Sequence, residues 1–590
     1  MLEITKYLSL LSQHSTHSIM KFFTLILILL LAFAIRVFGS DALSLWLDEG
    51  ASYYVIDQPN LLNALTTTDV HPPLYFYLLK GWAGLTGISE FSLRYFSLLM
   101  GMLVVALSIP LGRLLHIERW GAILAALWLA LSLIEIGMAQ EVRMYTLRSV
   151  WVCLSMLGYL EWMRHPQHTT AWVIWLSSSV LLVYTHYTGL LLPLIQGCHI
   201  LLFMRSRQRW YALGTLAIVG VCFAPCFGLI TLRQFQNDQG IYAAIPSTWE
   251  SLWQLGREFL GGQWALIGGL ALLGVGARRP LRHTVLLGLW VVLTVALTFM
   301  ANLYVDALSV RRIMLINPAL ALWIGQGMVR FKSWRSGFLV GVIALYTLAT
   351  YQLQGDKLPW DAVATSITDY AQAEQVALME VYRGDYALGY YLDRWMPPDT
   401  ETHSLWWWRG VYGASYREGF AELIADFRVV WLAYWWQDPT IFEVLREEGY
   451  LQTADMTTYH REHPIHVYRF ERLDAFPTPS IDFQNGMRLL KSEVHADQVE
   501  LWWQTETPLT QDYSVSVFVL DGNGQLVQQH DSYPLENQAP TTTWQVGQVV
   551  YDAHPLPTHD GSTIGVKVYT WQDGHVIPTQ LGQEWVELRR

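Results

Sequence analysis

The sequence predicts a polytopic α-helical membrane domain of about eleven spans, then an extracytoplasmic α/β domain, then a C-terminal β-sandwich. Three observations carry this reading. Hydrophobic residues make up 52% of the 590, and charged residues only 15%, against about 25% in ordinary soluble domains. The charge is also split. Up to Gly355 there are 23 Lys and Arg against 15 Asp and Glu, and beyond it 15 against 34. Finally, the long apolar runs all lie in the first part, while the second shows strand and turn signals. The boundaries read as 1–355, 356–476 and 480–590. Disorder is excluded by the composition. A net charge of −11 with no basic stripe argues against nucleic acid as a partner. Cys153, Cys198, Cys222 and Cys226 all sit inside apolar runs, without metal-ligand spacing, so neither a disulfide framework nor a zinc site is indicated.

A helix needs about 20 mostly apolar residues to span a bilayer. The candidate stretches are roughly 20–39, 91–112, 120–138, 144–163, 171–186, 187–204, 211–231, 264–278, 283–301, 313–329 and 336–353. Lys21 ahead of the first run gives it the look of a signal peptide, but ten further stretches favour a retained anchor. With the N-terminus cytoplasmic, the inner loops fall at 113–119, 163–170, 205–209, 278–282 and 330–335, and every one contains arginine. This is the positive-inside pattern. An odd span count then puts the acidic tail outside, together with loops 40–90, 138–144, 231–263 and 302–312.

The first outer loop is long. LWLDEGASYYVIDQPNLLNALTT reads as an acidic pair, Asp48 and Glu49, followed by an amphipathic helix. HPPLYFYLLKGWAGLTG reads as a second helix, with Pro72 and Pro73 at its start, where a missing N–H costs nothing. Both are expected to lie along the outer membrane surface. The alternative, residues 74–87 as a twelfth span, would spoil the arginine bias. Adjacent carboxylates point to different sides of a chain and can do different jobs. Further ionisable groups recur at the same face: His71, Lys80, Arg94, Glu141, Arg143, His186, Arg311 and Arg312. Charge beside apolar spans is costly unless paired or functional. Cations and carboxylates around one outer pocket suit an anionic lipid headgroup and a general base. Plainer roles exist for several. Arg143 and Lys80 can snorkel, Arg94 can pair with Glu90, and His186 can cap a helix.

WLDEGASYY, HPPLYFYLLKGW, GISEFSLRYFSLLMG and AQEVRMYTL, in this order, resemble the GT-C glycosyltransferases. The branch is that of the protein O-mannosyltransferases and lipid A aminoarabinose transferase. SVRRIMLINPALALWIGQG resembles the Arg-Tyr-Leu-x-x-x-x-Pro segment of that branch, with Ile313 or Met314 where tyrosine is usual. The resemblance implies that Asp48 is the catalytic carboxylate, followed by Glu49 as in the family's Asp-Glu motif. It implies that His71 lines the donor site and that Glu141 and Arg143 form the family's acidic-basic element. It implies a polyprenyl-phosphate sugar donor, inversion at the anomeric carbon, and an acceptor hydroxyl on a glycan, lipid or protein. A leaving monophosphate can be met by arginine alone, so no cofactor is required, although a divalent cation stays open. The expected setting is a bacterial cytoplasmic membrane. The other reading kept is a transporter or flippase with an outer sensor domain. It is disfavoured because the charges gather at one face and no repeat is visible.

In the tail, PWDAVATSITDYAQA, DYALGYYLDRW, EGFAELIADF and TIFEVLREEGY read as helices, and QVALMEV, RVVWLAYWW and PIHVYRFERL as strands. Such alternation predicts an α/β layer. Trp406–Trp408 and Trp435–Trp436 are candidates for sugar, lipid or core, with core the default. FPTPS reads as a linker. Beyond it, SVSVFVL–DGNG–QLVQQHD and IGVKVYTW–QDG–HVIPTQL read as hairpins in a sandwich of seven or eight strands. Nothing in that sandwich reads as a site, and a structural or docking role is its default.

Overall fold

In the computed structural model the described residues are 23–205, 207–237, 246–304, 307–351, 357–381, 384–405, 413, 416–435, 440–461, 463–472, 480–558 and 562–589. Residues 20–22, Trp406–Trp408, Trp436 and most of the FPTPS linker lie outside them. The chain forms two compact units, Met1–Lys357 and Leu358–Arg590.

A helix stands at each of the eleven apolar stretches of the first unit. Among the described residues, Glu90–Leu114, Arg207–Gln234, Leu281–Ala301 and Val310–Val329 are long and apolar enough to cross a membrane. The number rises to six if each of two bent pairs is one span, and Phe23–Val37, Thr169–Thr185 and Tyr187–Phe203 are shorter apolar helices. One bent pair, Arg119–Leu131 with Leu133–Ala139, turns by 57° at Ser132. A broken helix frees carbonyls, which apolar surroundings penalise unless protein donors meet them. Arg36 donates to the carbonyls of Leu129 (2.9 Å) and Ala130 (3.0 Å), and Thr347 to that of Leu131 (2.9 Å). The other pair, Trp249–Leu260 with Trp264–Val275, turns by 89°. Its first helix was not expected from the sequence, because its apolar residues form one stripe rather than a continuous run.

Helix Val310–Val329 is the most buried of the four long apolar helices, at 89% of its apolar window. Glycine makes this burial geometrically feasible, since small residues let helix backbones approach closely. A Cβ on Gly325 would strike the Gly121 carbonyl and the Ala125 backbone, and one on Gly327 the Leu270 carbonyl. On the facing helix, a Cβ on Gly274 would strike the Trp323 carbonyl.

Between helices Phe23–Val37 and Glu90–Leu114 lie three more, Leu47–Asp57, Leu61–Thr68 and Leu74–Thr86. Asp48 and Glu49 belong to the first turn of Leu47–Asp57 rather than to a loop ahead of it. Carboxylates there face the positive end of the helix. Pro73 caps the start of Leu74–Thr86.

The second unit holds two layered parts. Strands β1 (Val376–Glu380), β2 (Glu401–Ser404), β3 (Val429–Tyr434), β4 (Tyr450–His460) and β5 (His463–Arg472) form a mixed sheet in the order β2-β1-β3-β5-β4. β1 runs parallel to β2 and β3, and the β3–β5 and β5–β4 pairs are antiparallel. β2 and β4 are not among the strands expected from the sequence, since ETHS is wholly polar and YLQTADMTTYH has no continuous apolar run. Trp435 packs edge-on against Trp360 (6.2 Å).

The remaining strands are β6 (Ile481–Asp482), β7 (Met487–Val494), β8 (Gln498–Thr505), β9 (Ser514–Leu520), β10 (Leu526–Ser532), β11 (Val550–Pro555), β12 (Thr563–Tyr569), β13 (Val576–Ile577) and β14 (Val586–Leu588). They form two sheets, β11-β8-β7-β6 and β10-β9-β12-β13 with β14 on β12. Trp502 and Trp503 are both fully buried because they face opposite ways. Trp503 enters the sandwich core. Trp502 donates to Glu471 of β5 (2.7 Å), which also accepts from Arg469 (2.7 Å). Arg469 in turn lies 3.8 Å from the Tyr551 ring of β11.

Gly325→Val should lower the unfolding temperature of the detergent-solubilised protein by several degrees, because overpacking of this kind costs about 1–3 kcal/mol. Gly337→Val, where an added Cβ meets nothing, should leave it unchanged in the same thermal scan.

Candidate active site

Glu49 is fully buried. Its carboxylate accepts from Arg94 Nε (2.8 Å) and Nη2 (2.9 Å), Lys357 Nζ (2.6 Å), the Val142 N–H (3.0 Å) and the Trp46 N–H (3.2 Å). Burial by itself would raise its pKa. The Arg94 and Lys357 charges outweigh that and draw it down to about 2. Arg94 also donates to the carbonyls of Ser40 (2.8 Å), Leu43 (2.8 Å) and Ser44 (3.0 Å). One ion pair therefore joins the turn after the first helix, helix Leu47–Asp57, helix Glu90–Leu114 and loop 140–144.

Asp48 takes the other side of the same turn and is 27% exposed. Its Oδ2 accepts from Arg311 Nη1 at 3.0 Å. The Arg311 guanidinium lies over the Trp46 ring at 4.3 Å, and its Nη2 is 3.7 Å from Glu141 Oε1. Glu141 is buried, with its Oε2 lacking a hydrogen-bond partner among the described residues. Burial raises the Glu141 pKa against the pull of Arg311 and Lys357.

Behind Asp48, Arg143 donates through Nη1 to Asp69 Oδ2 (3.0 Å), the Asp48 carbonyl (3.2 Å) and Ser52 Oγ (3.2 Å). Its Nη2 meets His71 Nδ1 at 3.2 Å, and Asp69 Oδ1 lies 2.5 Å from the same nitrogen. Burial of Asp69 would raise its pKa, but Arg143 and His71 hold it well below the usual carboxylate range. The His71 ring packs 5.0 Å from that of His186, whose Nδ1 accepts from Thr188. Beneath them Arg148 fixes the arginine turn by donating to the carbonyls of Arg311 (2.7 Å) and Arg312 (3.3 Å) and to Thr188 Oγ1 (3.0 Å).

The structure thus links Asp48, Glu49, His71, Arg94, Glu141, Arg143, His186 and Arg311 through direct contacts, and reaches Arg312 through its backbone. Lys80 lies apart from this chain of contacts. Its ammonium donates to the Gln58 carbonyl (2.8 Å) at the end of helix Leu47–Asp57. Arg94 is engaged by Glu49 and by three backbone carbonyls. Sequence reasoning missed Asp69, Trp46, Arg148 and Lys357. Asp69 stands two residues before His71, and Arg148 is an arginine inside an apolar run, a signal of function or pairing in its own right. A separate groove of about 810 Å³, lined by Trp162, Trp172, Trp210 and Tyr211 among others, has no carboxylate or arginine and does not suit this chemistry.

No family model matches the chain, and no curated protein matches it. Among solved structures, ArnT from Cupriavidus metallidurans in the apo state is similar with a TM-score of 0.55 at 13% identity, over 75% of this chain and 97% of that one. ArnT bound to undecaprenyl phosphate is similar with a TM-score of 0.52 at 15% identity over the same shares. The chain shares its fold with ArnT.

Glu49→Gln should cost about 3–5 kcal/mol, because it leaves buried Arg94 and Lys357 underpaired. The sign of its pH dependence follows from a depressed carboxyl pKa. The stability Glu49 contributes is complete above about 4.5 and is lost as pH falls toward about 2. Thermal unfolding across the acid range should show a slope that is smaller in Glu49→Gln than in the parent.

Proposed function

We propose that this protein is an inverting glycosyltransferase that moves a sugar from a polyprenyl-phosphate donor to an acceptor hydroxyl at the outer face of the membrane. The observation that carries this reading is the division of labour in the acidic pair. Glu49 has every lone pair committed inside the protein, whereas Asp48 presents an accessible carboxylate beside an arginine fork. The GT-C fold supports it, as does the solved ArnT complex with undecaprenyl phosphate.

The chemistry follows from that geometry. The acceptor O–H gives its proton to Asp48 while its oxygen bonds to the anomeric carbon. The bond from that carbon to the phosphate oxygen breaks on the opposite face, and the lipid phosphate leaves with the electron pair. A correctly placed general base contributes about 10²–10⁴-fold. Arg311, stacked on Trp46 and tied to Asp48, has a planar fork suited to phosphate oxygens. When it turns to the donor phosphate it releases Asp48, so donor arrival and base release are one event. Arg143 orients this assembly from behind, through Asp69, His71 and the Asp48 carbonyl. Guanidinium charge suffices for a monophosphate, and we assign no resident metal.

Asp48→Asn should abolish turnover while leaving donor binding and folding intact, because a base acts in the transition state. The assay is donor turnover by purified variants, with binding measured separately and an EDTA arm. Near-normal turnover by Asp48→Asn would pass the role to Glu141, and loss of turnover in EDTA would reject the metal-free assignment.

The same reading places eleven spans in a bacterial cytoplasmic membrane, with the N-terminus inside and the second unit outside. In a background lacking Cys153, Cys198, Cys222 and Cys226, an impermeant thiol label on intact cells should reach Asn60→Cys and Ser480→Cys but not Gln208→Cys. The reverse pattern would overturn the orientation.

A further inference from the structure

The sandwich of the second unit has one sheet face that neither the fold nor the transfer chemistry uses. On β9, Val515, Val517 and Val519 enter the core, so Ser514, Ser516 and Phe518 point outward. On β12, Ile564, Val566 and Val568 enter the core, so Gly565, Lys567 and Tyr569 point outward. The register sets Phe518 opposite Gly565 and Ser516 opposite Lys567, with Asp531 of β10 on the other side of Ser516. Glu587 of β14 lies opposite Gly565.

Gly565 shapes this face. A Cβ there would collide with the Phe518 ring and approach Trp585 Cε3 to 2.9 Å. The missing side chain leaves a slot in which the Phe518 and Trp585 rings lie across the sheet, edge to face at 5.5 Å. A second aromatic pair, Tyr569 and Trp571, lies 6.2 Å apart at the end of β12. Lys567 sits between the pairs, 5.9 Å from the Phe518 ring and 5.7 Å from that of Tyr569. Trp571 is 60% exposed and Trp585 39%. Ser516 Oγ is fully buried and has no hydrogen-bond partner among the described residues, and Asp531 Oδ1 is likewise unpartnered. Buried polar atoms are rarely left unpaired in a native protein, and aromatic rings clustered at a surface are a feature of binding sites.

We propose that this face of β10, β9, β12 and β14 binds carbohydrate, taking one oligosaccharide chain along the line from Trp585 to Trp571. The match is chemical. A sugar ring offers an apolar C–H face to an aromatic plate and a rim of hydroxyls to polar groups. The face sets two aromatic pairs beside Lys567, Asp531 and Glu587. Charge excludes the obvious competitors. Residues 480–590 carry five Lys and Arg against fourteen Asp and Glu, which repels anionic lipid surfaces and nucleic acid but leaves a neutral sugar indifferent. This proposal does not rest on the transferase reading.

The test uses the full-length protein in a detergent without a sugar headgroup, with cello-, manno- and chito-oligosaccharides as separate probes. Saturation-transfer NMR should show at least one probe bound, with its ring C–H protons nearest the protein. Trp571→Ala and Trp585→Ala should each weaken that binding by about tenfold, and Trp585→Phe should retain most of it. Trp210→Ala, which removes an exposed ring in the other unit, and Asp48→Asn should leave it unchanged. Thermal unfolding of the sandwich variants checks that they are folded, and Trp571 is exposed enough for its loss to be tolerated. Failure of all three probes to bind the parent overturns the proposal. So does binding that survives both tryptophan substitutions, or that is lost in Asp48→Asn.

Discussion

A carboxylate removed from water must find its charge partner and its hydrogen bonds within the protein, and Glu49 finds five donors, four of them on three segments distant in the chain. Arg94 supplies two, Lys357 one, and the Trp46 and Val142 amides one each. Since these segments are far apart in the chain, none of the site can form until they meet. The consequence for Asp48 is direct. Its neighbour is fixed through the backbone and both oxygens, so the first turn of helix Leu47–Asp57 has one orientation, and the Asp48 side chain is aimed by it. A charged pair of this kind contributes little net stability over an apolar substitute. Its value lies in specifying a single arrangement.

The same logic recurs at the arginines. Arg148 uses its guanidinium on the carbonyls of Arg311 and Arg312, Arg94 on those of three residues after the first helix, and Arg36 on those freed by the bend at Ser132. In each case a cation in apolar surroundings donates to the irregular backbone beside it, and so meets carbonyls that the break leaves without helical partners. Arg311 is different. Its side chain reaches the accessible Asp48 and is itself 31% exposed, which makes it the arginine best placed to change partners.

The positions of the apolar helices were legible in the sequence because a span leaves a long continuous signal. Helix Trp249–Leu260 was not, because an amphipathic helix at a right angle to its neighbour leaves a broken one. β2 and β4 were hidden for a related reason, since edge strands need no apolar run. Within the site, residue types near the outer loops could be nominated but not their partners. Nothing in the spacing told that Arg143 would meet Asp69, or that Arg94 would meet Glu49. The sequence also could not say which carboxylate of the adjacent pair would face inward, since that depends on the helical turn they occupy. Arg148 was overlooked because a run judged by its average apolarity conceals a single charge.

The glycine contacts of helix Val310–Val329 have a mechanical consequence. Gly325 rests on the backbone of one neighbour and Gly327 on that of another, while Gly274 receives the Trp323 carbonyl from the opposite direction. Backbone seated on backbone leaves no side chains to rearrange, so the helix has one register and cannot slide or rotate by small steps. A molecule that carried a solute across the membrane by rocking its helices would have to unseat all three contacts at once. The arginines at the head of this helix therefore stand on a fixed post. Freedom to move is left to the side chains and short segments around its first turn, as in a lathe whose bed is rigid so that its tool can move accurately.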